Sequence, residues 1–325
     1  MGDNGHSREG REGFVSIREG GLRWTSLPMR LFQKGNRLFW NPADIDFSQD
    51  AEDWKTLNDD EKEGALRLAT LFEAGEESVT HDIQPFIRAM ASEGRLEDEM
   101  YLTQFAFEEA KHLEAFRRWL DAIGATGDLH RWVDTNPGYK KIFYELLPES
   151  MNRLESDPSP AAQVRAAVVY NQVVEGVLAL TGYHSWRRAT EERGMMPGIQ
   201  EVVSLIARDE RRHMAWGTFT CRRHIAGDDS NWQVVQDTLD ELLQPALSII
   251  DVTFDEYAAR GSEFPFDISR EELSNFATDQ FSRRLAVIEA ARGKAVGDIE
   301  GVEEEALEAD LEADDMGTEQ EPVSA

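Results

Sequence analysis

A single cysteine in 325 residues, Cys221, excludes a disulfide within the chain and fits a reducing compartment. Lysine is scarce, 7 against 27 arginines, and the 34 bases are outnumbered by 63 acids, for a formal charge of −29. A surface this acidic disfavours nucleic acid as a partner, because phosphate contacts need a basic face. It reads instead as adaptation to a high-salt cytoplasm. No stretch approaches the ~20 apolar residues of a membrane span, so no integral membrane segment is expected. The first 13 residues are polar and glycine-rich, without the apolar core of a signal peptide, and a cytoplasmic location is expected. Sustained period-two alternation is lacking, as are a glycine-rich phosphate loop and a Ser/His/Asp pattern.

What the chain has is helix. Residues 1–20 are expected to be a flexible N-terminus, 21–293 one helical domain and 294–325 a disordered acidic tail. From Asp298 onward the chain holds 12 acids and no base, a composition that cannot bury a core. The body still carries 51 acids against its 34 bases. Residues 21–53 read as an ordered arm over a larger body, with Trp40 and Trp54 as anchors. Asn58 followed by Glu61 predicts a capping box and a helix running to about residue 91, kinked at Pro85. Further helices are expected at about 96–123, 139–154, 161–192, 199–226, 232–260 and 269–292, separated by Gly- and Pro-containing breaks. The fold class is all-α.

Four of these helices carry an acid on their apolar stripe. Ala69, Phe72, Glu76, Val79 and Ile83 recur at steps of three and four, with Glu76 the one charge on the line. The other three stripes read Phe105, Glu109, His112, Phe116; Val168, Asn171, Glu175, Leu178; and Ile206, Glu210, His213, Gly217. Glu108 and Lys111 fall off the line and are expected at the surface; His81 and His130 are expected at the surface or at most behind the ligands. His184 and His224 are expected to be packed or exposed rather than ligands.

A carboxylate within an apolar stripe costs several kcal/mol unless it is paired or neutralised. Four sharing one core would repel, whereas two divalent cations balance four negative charges. Carboxylate oxygens with one imidazole per metal suit iron or manganese; thiolates would point to zinc or iron–sulfur clusters. One Glu-x-x-His is a weak signal in so acidic a chain. Two copies, preceded at 33 and 35 residues by another striped Glu, are far less expected by accident.

One Glu from each of two helices and Glu-x-x-His from each of two others is the known pattern of ferritin-like di-metal carboxylate proteins. GEESVT around Glu76, FEEAKH around Glu109 and His112, YNQVVEG around Glu175 and DERRH around Glu210 and His213 resemble, more narrowly, the R2-like ligand-binding oxidases related to ribonucleotide reductase small subunits. The likeness covers roughly residues 25–290. It implies a ferritin-like four-helix bundle core with additional helices, and an oxidoreductase that activates dioxygen. It further implies manganese held by Glu76, Glu109 and His112 and iron held by Glu175, Glu210 and His213, with a di-iron centre as the alternative. The resemblance also implies an ether cross-link between a valine and a tyrosine, matched here by Val79 and Tyr170. A long-chain fatty acid ligand, its carboxylate near the metals, and a homodimer are implied in the same way.

Two other readings compete. A ribonucleotide reductase small subunit would store a radical for a large partner. Against it stand Phe116, where such subunits commonly hold a tyrosine, Glu76 rather than Asp as the first ligand, and the lack of any aromatic residue after Phe281. The other reading is a metal- or fatty-acid-binding protein without oxygen chemistry.

Overall fold

The computed structural model describes residues 13–301, which form helices and connections without a strand. Four long helices make the ferritin-like core. The first, Asp59–Asp82, starts at the expected capping box: the Glu61 amide donates to Asn58 Oδ1 and the Asn58 amide to Glu61 Oε2, both at 2.9 Å. It ends at Ile83 and a separate helix, Gln84–Ser92, follows. The expected kink is thus a break, since Pro85 cannot donate and suits the first turn of a new helix. The second core helix, Leu96–Ala122, returns antiparallel beside the first.

The third is built of segments running end to end, Pro160–Ala167, Val168–Ala179, Leu180–Trp186 and Arg187–Glu191, with Ser159 as its cap. Val168–Ala179 is wound as a π-helix. The fourth, Pro197–Gly227, packs on the second and third and closes the bundle. Close approach there requires glycine: a Cβ on Gly217 would lie 2.2 Å from Asn171 Cβ.

The arm of residues 21–53 lies over this bundle. Trp40 Nε1 donates to Asp209 Oδ2 at 2.8 Å, and Trp54 meets Trp119 edge-on at 6.1 Å. Asp50 accepts from the amides of Gly198 and Ile199, each at 2.8 Å, so the arm caps the fourth core helix with a carboxylate at its positive end.

Asn231–Ala259 and Arg270–Glu289 pack outside the core. Order runs past residue 293, where the acidic tail was expected to begin. Val296–Glu300 forms a helix against the fourth core helix, Ile299 is 1% exposed, and Glu300 Oε1 pairs with Arg95 Nη1 at 3.2 Å. The buried Ile299 and the Glu300–Arg95 pair help to hold this segment on the body. Residues 302–325 of the expected tail, and 1–12 of the expected flexible N-terminus, lie outside the described residues. Among the described residues no helix is long and apolar enough to cross a membrane.

Candidate metal centre

The four core helices carry their striped acids and imidazoles to one buried place. Glu76, Glu109, His112 and Glu210 form one group, and Glu109, Glu175, Glu210 and His213 a second, with donor atoms in each within 4.8 Å of one another. Glu109 and Glu210 belong to both, so they lie between two adjoining sites. His112 Nδ1 stands 3.5 Å from Glu76 Oε2, 3.6 Å from Glu109 Oε2 and 3.4 Å from Glu210 Oε1. His213 Nδ1 stands 3.2 Å from both Glu109 Oε1 and Glu210 Oε2, and 3.7 Å from Glu175 Oε1.

Each imidazole turns its other nitrogen outward to a carboxylate. His112 Nε2 faces Asp209 Oδ2 at 3.3 Å, and His213 Nε2 faces Glu108 Oε2 at 2.9 Å. Such a partner fixes ring orientation and tautomer and raises the basicity of the inner nitrogen. The partners are themselves neutralised: Lys111 Nζ donates to Asp209 at 2.8 Å, and Arg212 Nη2 donates to Glu108 at 2.6 Å and Asp209 at 2.9 Å. Glu108 and Lys111, expected at the surface, are therefore buried. The reason is their place beside the ligand line on a helix packed on several sides.

A sequence signal for them did exist. In FEEAKH and DERRH alike, an acid precedes the striped Glu and a base follows two residues after it. The acid of each motif serves the imidazole of the other. Of the remaining histidines, His81 and His130 are exposed. His184 pairs with Glu272 at 2.7 Å and His224 with Gln163 at 2.8 Å, both away from the centre.

The outer layer, two acids and two bases, carries no net charge. The inner layer carries four carboxylates without a fixed cation. Without metal, protons fill that role. Burial pushes Glu76 and Glu175 well above the usual carboxylate range, and the charges of Glu109 and Glu210 respectively push them further. Burial pulls His112 and His213 down, but hydrogen bonds and charge from the surrounding carboxylates outweigh it, so both are pushed up. Glu109 Oε2, Glu175 Oε1 and His112 Nδ1 are buried and without a hydrogen-bond partner. Orphaned oxygen and nitrogen donors around a fourfold negative charge fit two divalent cations of the iron or manganese kind.

Beside the centre lies an apolar cavity walled by residues that include Leu71, Phe72, Val79, Tyr170, Leu178 and Phe254. Tyr170 donates its hydroxyl to Glu109 Oε1 at 3.0 Å and, buried beside Glu109, holds its proton well above the usual phenol range. Asn171 donates to Glu175 Oε2 at 3.0 Å from the same turn. In an α-helix residues 170 and 175 would point about 140° apart. The π-helical winding of Val168–Ala179 brings residues five apart onto one face, so Tyr170 and Glu175 both reach the centre.

The chain matches the family described as ribonucleotide reductase, small chain, over residues 29–288. Among solved structures it is similar to an R2-like ligand-binding oxidase from Sulfolobus acidocaldarius at 40% identity, covering 89% of this chain and 98% of that one, with a TM-score of 0.81. An R2-like ligand-binding oxidase with an aerobically reconstituted Mn/Fe cofactor is similar at 38% identity, covering 86% of this chain and 98% of that one, with a TM-score of 0.80.

Proposed function

Because the chain belongs to the ribonucleotide reductase small-chain family, and within it to the R2-like ligand-binding oxidases, we propose that it is a dioxygen-activating Mn/Fe oxidase that binds a long-chain fatty acid and joins Val79 to Tyr170. The observation that carries this reading is the pair of buried donor groups sharing Glu109 and Glu210, set against an apolar cavity that Val79 and Tyr170 both line. Glu76, Glu109 and His112 would hold manganese, and Glu175, Glu210 and His213 iron. The metals would supply the power to oxidise a C–H bond with dioxygen as the electron acceptor.

The chain's own residues set up the rest. Asp209 and Glu108 hold the imidazoles in place, and the largely apolar cavity wall offers water few hydrogen-bond partners beside the reacting groups. Tyr170 keeps its proton on the hydroxyl, directed at Glu109, so this carboxylate is the nearest base to receive it. Closing the ether removes one hydrogen from the Val79 Cβ and one from the Tyr170 hydroxyl. These two protons and two electrons pass to dioxygen as the C–O bond forms. A fatty acid would lie with its carboxylate toward the cations and its tail among Phe72, Leu178 and Phe254. A homodimer is proposed on the pattern of the family, with sedimentation as its check.

The test begins with metal-free protein given Mn(II) and Fe(II) without oxygen and then exposed to air. Tryptic digestion should release a joined peptide holding Val79 and Tyr170, two hydrogens lighter than its parts, and Tyr170→Phe should abolish it. Recovery of only separate peptides from air-exposed, fully loaded protein would overturn the cross-link. Nucleotide reduction on adding a large subunit would favour the radical-storing members of the family instead.

A further inference from the structure

The cavity beside the metal centre has a second polar feature, Arg67, on the helix that also bears Glu76. Away from the carboxylates, the other polar side chains lining it are engaged. Tyr139 donates to the Leu71 carbonyl, Thr181 to that of Val177, Ser185 to that of Thr181 and Thr253 to that of Ile249, at 2.7–3.0 Å. Arg67 is not. It is 2% exposed, its Nη2 bonds Glu256, and its Nε and Nη1 have no hydrogen-bond partner. Buried guanidinium N–H groups without an acceptor are costly, and two of them on one side chain in a cavity wall mark a place for an acceptor.

Charge decides what kind of acceptor. Arg67 already faces Glu256 and, at 3.9 Å, Glu63; Arg260 pairs with Glu63 at 2.8 Å and Asp60 at 3.4 Å. Three acids surround two bases, so a further anion is disfavoured and a neutral oxygen fits. Length follows from the helix. Arg67 precedes Glu76 by nine residues, an axial rise of about 13.5 Å at 1.5 Å per residue and a rotation of about two and a half turns, so the two side chains leave opposite sides of the helix. An extended hydrocarbon advances about 1.25 Å per carbon, from bonds of about 1.5 Å and angles near 111°. The rise alone therefore corresponds to about 11 carbons, and the path around the helix adds to it, so about 11 carbons is the minimum.

We propose that the cavity selects an acyl chain of at least that length bearing a neutral oxygen at or near its far end, an ω-hydroxy or ω-oxo fatty acid, and that Arg67 is the residue recognising this oxygen. The inference rests on the reading above, in which the ligand's carboxylate lies at the metals.

The test uses full-length protein stripped of co-purified lipid and loaded with Mn(II) and Fe(II) without oxygen. Calorimetry would compare dodecanoic acid with its ω-hydroxy and ω-carboxy derivatives, and the same trio on an octanoic chain. The expected result is a gain on the order of tenfold for the ω-hydroxyl on the twelve-carbon chain. The ω-carboxyl should gain less, and the eight-carbon chain nothing. Arg67→Met should erase that gain, so that dodecanoic acid and its ω-hydroxy derivative bind this variant equally; Arg67→Lys, which keeps the charge but loses the fork of donors, should retain only part of it. Equal affinity for dodecanoic acid and its ω-hydroxy derivative would overturn the proposal while the fatty-acid reading stands, as would a hydroxyl preference that survives in Arg67→Met. Failure of every acid to bind would remove the fatty-acid reading and this proposal with it.

Discussion

Glu108→Gln separates a structural from a metal-tuning role in one substitution. The carboxylate is 3% exposed, accepts from Arg212 Nη2 at 2.6 Å and faces His213 Nε2 at 2.9 Å. Gln keeps the shape and one acceptor oxygen but removes the charge. Stranding a buried ion outright costs about 3–5 kcal/mol. Arg212 still has Asp209 at 2.9 Å, so the loss is closer to that of one charge-assisted hydrogen bond, about 2 kcal/mol. At about 2–4 °C per kcal/mol for a domain of this size, the melting temperature of the metal-free protein should fall by about 4–8 °C. On the proposed ligand assignment, the metal at His213 should bind about 10–100-fold more weakly, because the ring loses the carboxylate that orients it. His112 answers to Asp209, so the other metal should bind as before. Circular-dichroism melting and anaerobic titration against a chelating indicator read the two effects separately. A lowered melting temperature with both metal affinities unchanged would refute the tuning role. An unchanged melting temperature would refute the energetics.

The protons held by the metal-free centre make its stability depend on pH. The pKa values of Glu76, Glu175, His112 and His213 are all raised in the folded state, so the fold binds protons that the unfolded chain releases above about pH 4.3 for Glu and 6.5 for His. Stability of the metal-free protein therefore falls as pH rises, while metal binding, which displaces those protons, strengthens. The gap in melting temperature between loaded and metal-free protein should widen between about pH 6 and 8; calorimetric scans showing a constant or narrowing gap would contradict this. Gly217→Ala drives a methyl to 2.2 Å from Asn171 Cβ, and Asn171 holds Glu175. An overpacking loss of about 1–3 kcal/mol in chemical denaturation is expected, with weaker binding of one metal. Ile299→Asp removes a contact buried to 1% exposure and should cost about 2–3 kcal/mol by the same measurement. No loss would put residues 294–301 outside the cooperative unit.

Much of this protein could be read from its residues in order. Four amphipathic stripes, each interrupted by one glutamate, demanded four helices around a shared polar centre, because a buried carboxylate cannot stand alone. Asn58 and Glu61 announced a helix start that depends on local hydrogen bonds. The cross-over of Glu108 to His213 and of Asp209 to His112 was not legible, although a repeated acid-Glu-x-base-His pattern hinted at it. Periodicity separates an apolar line from a charged flank; it does not say which neighbouring helix will cover that flank. Tyr170 sits off the α-helical stripe and reaches Glu109 through π-helical winding. Arg67 resembles any other helical arginine until the cavity that leaves its donors unmatched is seen. The sequence by itself determined the helices, the four acids and two imidazoles that face inward and the demand for a compensating positive charge, because those follow from spacing along one helix and from the cost of burying charge. Only the tertiary structure decided which acid steadies which imidazole, where Tyr170 points and what lines the cavity. Those depend on which side chains meet across helices, a relation that no distance along the chain encodes.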